Sequence, residues 1–217
     1  MKLLVTSGAT REPIDAVRFL SNVSTGATGA ALADAFAAAG HAVTLLHGVG
    51  SAIASRVCRH ETFTSADDLR MRLRQQLATG AFDAVIMTAA VADYRPAAAL
   101  AGKISSSLDR LTLELVRNPK ILPQLKTFSP RPLRVIGFKL TVGADEAARR
   151  AAVAAQFAAG GVDAIVHNDL AEIRERRREE HPFHVYRSLE TPPQSATGAT
   201  ALAAALARLL ENDFSAP

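Results

Sequence analysis

The sequence predicts an α/β fold with a mostly parallel central sheet, on three observations. Short apolar runs, Leu3–Val5, His41–Leu46, Asp83–Thr88, Arg134–Phe138 and Asp163–His167, alternate with longer alanine-rich or amphipathic stretches of helical character. Several of these runs close on Gly or on polar residues, as at Ser7-Gly8, His47-Gly48 and Asn168-Asp169, which is turn chemistry placed at strand ends. The length, 217 residues, suits one such domain.

Taken in order, Leu3–Val5 forms the first strand and ends in Thr6-Ser7-Gly8. About 17 residues then intervene before Ser24-Thr25-Gly26, whereas a strand-to-helix connection is ordinarily about 2–6 residues. This insertion carries Arg11, Glu12, Asp15, Arg18 and Asn22, so it reads as a binding loop. Ala30–Ala39 is predicted as a helix stopped by Gly40, and His41–Leu46 as the strand that completes a βαβ unit. Arg56–Phe63 is a third strand, and Thr64 is the expected cap of an amphipathic helix that runs to about Ala78 and stops at Gly80.

Asp83–Thr88 is the fourth strand and ends in the small-residue turn Ala89–Pro96, where a ligand could approach the backbone. Pro96–Ser107 follows neither period and is expected to be a mobile flap. Beyond it come an alternating strand at Leu111–Val116, a short helix opened by Asn118-Pro119, the strand Arg134–Phe138 and a helix Asp145–Ala159 ended by Gly160-Gly161. The strand Asp163–His167, a solvated charged run Arg174–Glu180, an edge strand Phe183–Tyr186 and a closing helix Gln194–Leu210 complete the chain. It contains no internal repeat and no linker.

Nearly half the residues are hydrophobic, and 25 basic against 21 acidic residues leave a net charge of +4. That mild excess suits a phosphorylated ligand and does not point to nucleic acid. Cys58 is the lone cysteine; it reads as a small buried thiol in the third strand and excludes an intrachain disulfide. The six histidines lack metal-ligand spacing. With a core strand at the very start and no apolar run near the ~20 residues of a membrane span, the expectation is a cytoplasmic protein with no membrane partner.

In open parallel sheets ligands bind beyond the carboxyl ends of the strands, where the polar residues of this chain collect. Ser24-Thr25-Gly26, opening the first helix, offers hydroxyls, unpaired N–H groups and the positive dipole end that phosphate favours. A nicotinamide site fails on spacing. Gly8 to Pro13 is not G-x-G-x-x-G, no acid closes the second strand, and neither Tyr94 nor Tyr186 is followed four residues later by lysine.

The runs GATREPIDAVRFLSNVSTGATG, AAVADYRP, KISSS, VRNPKIL, IGFKL and VDAIVHNDL, in this order between Leu3 and about Leu170, resemble phosphopantothenate–cysteine ligase. That enzyme is the second domain of the bifunctional coenzyme A biosynthesis flavoprotein, and without the flavin-binding half this chain looks like a stand-alone ligase. The resemblance implies a three-layer Rossmann-like fold, a homodimer, Mg²⁺, CTP or ATP as co-substrate and no flavin. It also implies a reaction in which the carboxylate of 4′-phosphopantothenate is activated as an acyl-nucleotidylate and then captured by the cysteine amine.

Carried over by motif, the resemblance makes Asn22 and Lys103 catalytic, the first contacting the activated acyl group and the second neutralising charge from the flap. It assigns Arg18, Ala90 and Ala92 to the phosphopantothenate side. Gly8, Thr10, Ser24, Thr25, Gly26, Asp93, Phe138 and Asn168 fall to the nucleotide, with Asp93 also a ligand for Mg²⁺. Three positions depart from the pattern: Ala27-Thr28 replaces a larger residue, no second lysine follows Lys103 closely, and Lys139 after Phe138 leaves CTP and ATP both open. The rival reading is a paralogue that binds a nucleotide or flavin without turning it over.

Overall fold

A computed structural model describes residues 1–57, 59–107 and 109–214, with side chains through Glu211. In chain order the elements are β1 (Lys2–Ser7), β2 (Arg11–Pro13), β3 (Phe19–Ser21), α1 (Ala27–Ala38), β4 (Ala42–Gly48), β5 (Arg59–Phe63), α2 (Ala66–Leu77), β6 (Ala84–Met87), β7 (Tyr94–Pro96) and β8 (Leu115–Arg117). They continue with β9 (Arg134–Thr141), α3 (Glu146–Ala158), β10 (Ala164–Asp169), α4 (Leu170–Arg174), β11 (Pro182–Tyr186), β12 (Gln194–Thr197) and α5 (Gly198–Phe214). Two 3₁₀ turns lie at Leu122–Phe128 and Arg178–Glu180.

Eight strands make one sheet in the order β12-β11-β10-β9-β6-β1-β4-β5. Every neighbouring pair from β10 to β5 is parallel, while β11 and β12 are antiparallel additions. The chain leaves β1 through β4 and β5, then returns with β6 on the other side of β1. The strand order therefore reverses between β1 and β6, where a crevice must open. Just past the two strand ends, Ala9 bridges Ala90, and the Ala90 N–H donates to the Gly8 carbonyl at 2.8 Å.

Alternation along the buried strands divides the core in two. Leu3, Val5, Leu45 and Ile86 meet Phe36 of α1 and Leu202 and Leu206 of α5 on one face. Leu4, Leu46 and Val85 meet Leu69 and Leu73 of α2 and Leu125 of the first 3₁₀ turn on the other. The result is a three-layer α/β sandwich, as the sequence predicts.

Some boundaries differ for identifiable reasons. The cap of α2 is Ser65 rather than Thr64: its hydroxyl accepts from the Asp68 N–H at 3.2 Å, while the Asp68 carboxylate accepts from the Thr64 N–H at 2.8 Å, a reciprocal closure of the helix start. The third strand begins at Arg59, and Cys58 lies outside the described residues. Of the alternating Leu111–Val116 run only Leu115 and Val116 are strand, in β8, which forms a two-stranded sheet with β7. Its leucines face outward, which buried-strand alternation does not anticipate. Phe183–Tyr186 is not the sheet edge. Gln194–Thr197, expected as helix, pairs outside it, and Gly198 at φ 73° turns the chain into α5.

Candidate active site at the sheet switch point

The long loop after β1 folds into a hairpin of β2 and β3, with Arg11 opposite Ser21 and Pro13 opposite Phe19. Its root is tied to the sheet. Thr10, fully buried, accepts from the Ala92 N–H through its hydroxyl at 3.0 Å, and its own N–H donates to the Ala90 carbonyl at 3.2 Å. Glu12 is a structural anchor whose buried carboxylate accepts from the Ala66 N–H at the start of α2 at 2.8 Å.

The hairpin tip grips the segment predicted as a flap. The enclosed Asp15 carboxylate accepts from the backbone N–H groups of Ile104, Val17 and Arg18, and from the Arg18 guanidinium. The Ile104 N–H, then the other backbone donors and the guanidinium, outweigh burial and hold the Asp15 carboxyl down to about 2. Arg18 also reaches the Ile104 carbonyl at 3.3 Å. From Ala97 to Ser107 the chain forms no helix or strand, as the absence of period there implies.

Asn22, at the other end of the hairpin, faces a cavity of about 680 Å³. Its side-chain N–H₂ donates to the Val91 carbonyl at 3.2 Å. The floor is the Ala89–Asp93 turn after β6, one wall is Asn118–Pro123, and the far wall is Phe138–Leu140 with Ala152, Ala155 and Gln156 of α3. Buried Asn118 joins floor to wall: it donates to the Ala92 carbonyl at 2.9 Å and accepts from Arg95 at 3.0 Å. At the rim, Lys120 and Asp93 pair at 2.6 Å, both largely exposed. This is a mostly uncharged cleft at a sheet switch point, with a cation, a carboxylate and amide donors at one end.

The family model for the DNA/pantothenate metabolism flavoprotein C-terminal domain matches residues 1–210. The chain belongs to this family. A Thermococcus kodakarensis relative, a coenzyme A biosynthesis bifunctional protein CoaBC, is 33% identical over 169 residues, which is 78% of this chain and 41% of that protein. The chain thus spans less than half the length of the curated relatives it matches. Among solved structures, the DNA/pantothenate metabolism flavoprotein of Streptococcus pneumoniae superposes with a TM-score of 0.84 at 26% identity, covering 98% of this chain and 99% of that one. The C-terminal domain of a CoaBC protein superposes with a TM-score of 0.76 at 25% identity, covering 98% and 95%.

Of the residues singled out from sequence in this flavoprotein C-terminal domain, Asn22, Ala90, Ala92, Asp93 and Phe138 line the cavity. The Ala90 and Ala92 N–H groups are spent on Gly8 and Thr10, so what these alanines offer a ligand is small surface, not donors. Arg18, Lys103, Gly8, Thr10, Ser24, Thr25, Gly26 and Asn168 do not line it. The first helix opens on Gly26 at φ 73° with no side-chain cap. A Cβ on Gly8 would lie 1.8 Å from the Ser51 hydroxyl and one on Gly26 2.9 Å from Ser51 Cβ, so the protein's own Ser51 occupies that turn. Asn168, next to last in β10, lies opposite Leu140.

Asn118 and Lys120 were legible only in part, and Gln156 not at all. The run VRNPKIL supplies the first two, and an asparagine before proline reads locally as a helix start. Gln156 gave no signal inside an alanine-rich helix. As for a metal, among the described residues no group of three or more His, Cys, Asp or Glu is placed to hold one. Among the described residues Asp93 is the single carboxylate lining the cavity, which fits an ion carried mainly by substrate phosphates and poorly fits a resident one. No helix among the described residues is long and apolar enough to cross a membrane.

Beside the cavity wall, Asp169 fixes the loop after β9, accepting from Thr141, Gly143 and Ala144. Thr141 also bonds Nε2 of the fully buried His167 at 2.8 Å. Burial first, then the nearby Arg149 and His184, outweigh Asp169 and Glu172 and push the His167 imidazole down to about 4. Unfolded, it protonates near 6.5. The unfolded state therefore gains a proton that the folded state refuses, and stability falls as pH drops from about 6.5 towards 4, by on the order of 3 kcal/mol for this group. His41, His47 and His184 are lowered as well and act in the same sense. Urea unfolding midpoints are expected to be clearly lower at pH 5 than at pH 7.5; equal midpoints would contradict the neutral, buried imidazole.

Proposed function

We propose that the chain joins 4′-phosphopantothenate to cysteine, drawing on CTP or ATP. The observation that carries this reading is the convergence of Asn22, the Ala89–Asp93 turn and the Asn118–Lys120 segment on one cavity at the switch point. In the first step a carboxylate oxygen of phosphopantothenate bonds to the α-phosphorus and pyrophosphate leaves. In the second the cysteine amine bonds to the acyl carbon, the nucleoside monophosphate departs with that oxygen, and the amine loses a proton. Asn22 contributes an amide N–H to the acyl oxygen, where negative charge develops. Lys120 and Lys139 are the cations lining the cavity and meet phosphate charge. Asp93 would be the protein ligand of a Mg²⁺ borne by the triphosphate, which would screen that charge.

The same reading includes a homodimer. Val17, Phe19 and Leu20 of the hairpin and Leu111, Leu113 and Leu115 before and in β8 are exposed, and β2 lies beside β7. A second copy related by a twofold axis would cover this apolar face. Arg18 and Lys103 sit at that face and outside their own chain's cavity, so we assign them to the partner's site. The assay is pyrophosphate release with CTP and ATP in parallel. Release that requires both phosphopantothenate and cysteine for sustained turnover is expected; nucleotide binding with no release under any combination would leave a binding protein instead.

A further inference from the structure

We propose that Gln156 reads the nucleotide base, selecting a nucleoside triphosphate whose base sets an exocyclic amine beside an unprotonated ring nitrogen. The proposal rests on the ligase reading for why a nucleotide enters the cavity at all. Its own grounds are geometric. Gln156 lines the wall opposite Asn22, on α3. Its neighbours there, Ala152, Ala155, Ala159 and Gly160, carry no polar side-chain atom, and Lys139 can only donate. Gln156 is thus the one side chain on that wall, among the described residues, that offers a donor and an acceptor together.

Its orientation is set by the backbone. The carboxamide nitrogen donates to the Phe138 carbonyl at 3.4 Å. It lies over Gly137, where an added Cβ would be only 2.5 Å from it. The Gln156 oxygen and its second N–H bond no protein group among the described residues. Reversing the amide would set its oxygen against the Phe138 oxygen, two acceptors face to face. The exposed order of acceptor and donor is therefore fixed.

That order matches a base edge whose amine donates to the amide oxygen while its ring nitrogen accepts from the amide N–H. Cytosine and adenine both present this edge. Uracil and hypoxanthine present a carbonyl and a ring N–H, the reverse order, and would leave both partners mismatched. A fitted two-point contact of this kind discriminates by about 1–3 kcal/mol, or roughly 5- to 150-fold.

Equilibrium titration of CTP, UTP, ATP and ITP into the full chain, without phosphopantothenate or cysteine, tests this directly. The native protein is expected to bind CTP about tenfold or more tighter than UTP, and ATP similarly over ITP. Gln156→Met should bring both ratios to within about twofold by weakening the amino bases, with an unchanged melting temperature. Gly137→Ala, which displaces the amide while keeping the glutamine, should do the same. Equal binding of CTP and UTP by the native protein, ratios that persist in Gln156→Met, or no binding of any of the four would overturn the proposal. Selective binding without pyrophosphate release would sink the ligase reading and leave this one standing. Turnover with base ratios untouched by Gln156→Met would do the opposite.

Discussion

Asn22→Ala is expected to lower turnover at least tenfold while nucleotide binding and melting temperature stay in place. The side chain is exposed to the cavity and its protein contact is a single bond to the Val91 carbonyl, so the fold loses little when it is cut back. One well-placed donor to an oxyanion is worth roughly 3 kcal/mol. Single-turnover measurements with saturating CTP separate the step: the rate should fall with little change in nucleotide affinity. An unaltered rate would remove Asn22 from the chemistry and leave it as a tie between hairpin and floor.

The second large effect is expected at the flap. Lys103→Gln should slow chemistry by on the order of tenfold without lowering the melting temperature. The backbone on either side of Lys103 is anchored independently: Gly102 O accepts from Ala16 N, and Ile104 is held by Asp15 and Arg18. The lysine side chain is exposed. A large drop in melting temperature would show instead that the lysine supports the fold. Because Lys103 does not line its own chain's cavity, mixing Asn22→Ala and Lys103→Gln subunits should restore activity. A mixed dimer would then contain one site with both lesions and one with neither. No recovery on mixing would place both residues in sites of the same chain.

The layered fold was legible because its signals are local and strong: buried β1, β4, β6 and β9 are continuous apolar runs, and α3 starts at an aspartate cap and ends before a glycine pair. What escaped were features decided by distant partners. β12 is a strand only because β11 lies beside it. The leucines of Leu111–Val116 alternate as a buried strand would, but among the described residues they remain exposed. For the site, the loop bearing Asn22 and the turn bearing Asp93 stood out because their composition is too polar or too small for a core, and both line one cavity. Ser24-Thr25-Gly26 reads as a phosphate cradle in sequence, which does not reveal that Ser51 packs against Gly8 and Gly26 beside it. Gln156 was invisible because its meaning depends on Gly137, nineteen positions earlier and on another element.

The most direct test of the central claim follows one oxygen atom. With ¹⁸O in the carboxylate of 4′-phosphopantothenate and unlabelled CTP or ATP, activation through an acyl-nucleotidylate must deliver one ¹⁸O into the nucleoside monophosphate for each amide formed, as read by mass spectrometry. Label found in inorganic phosphate alongside a nucleoside diphosphate, or a monophosphate free of label, would contradict it.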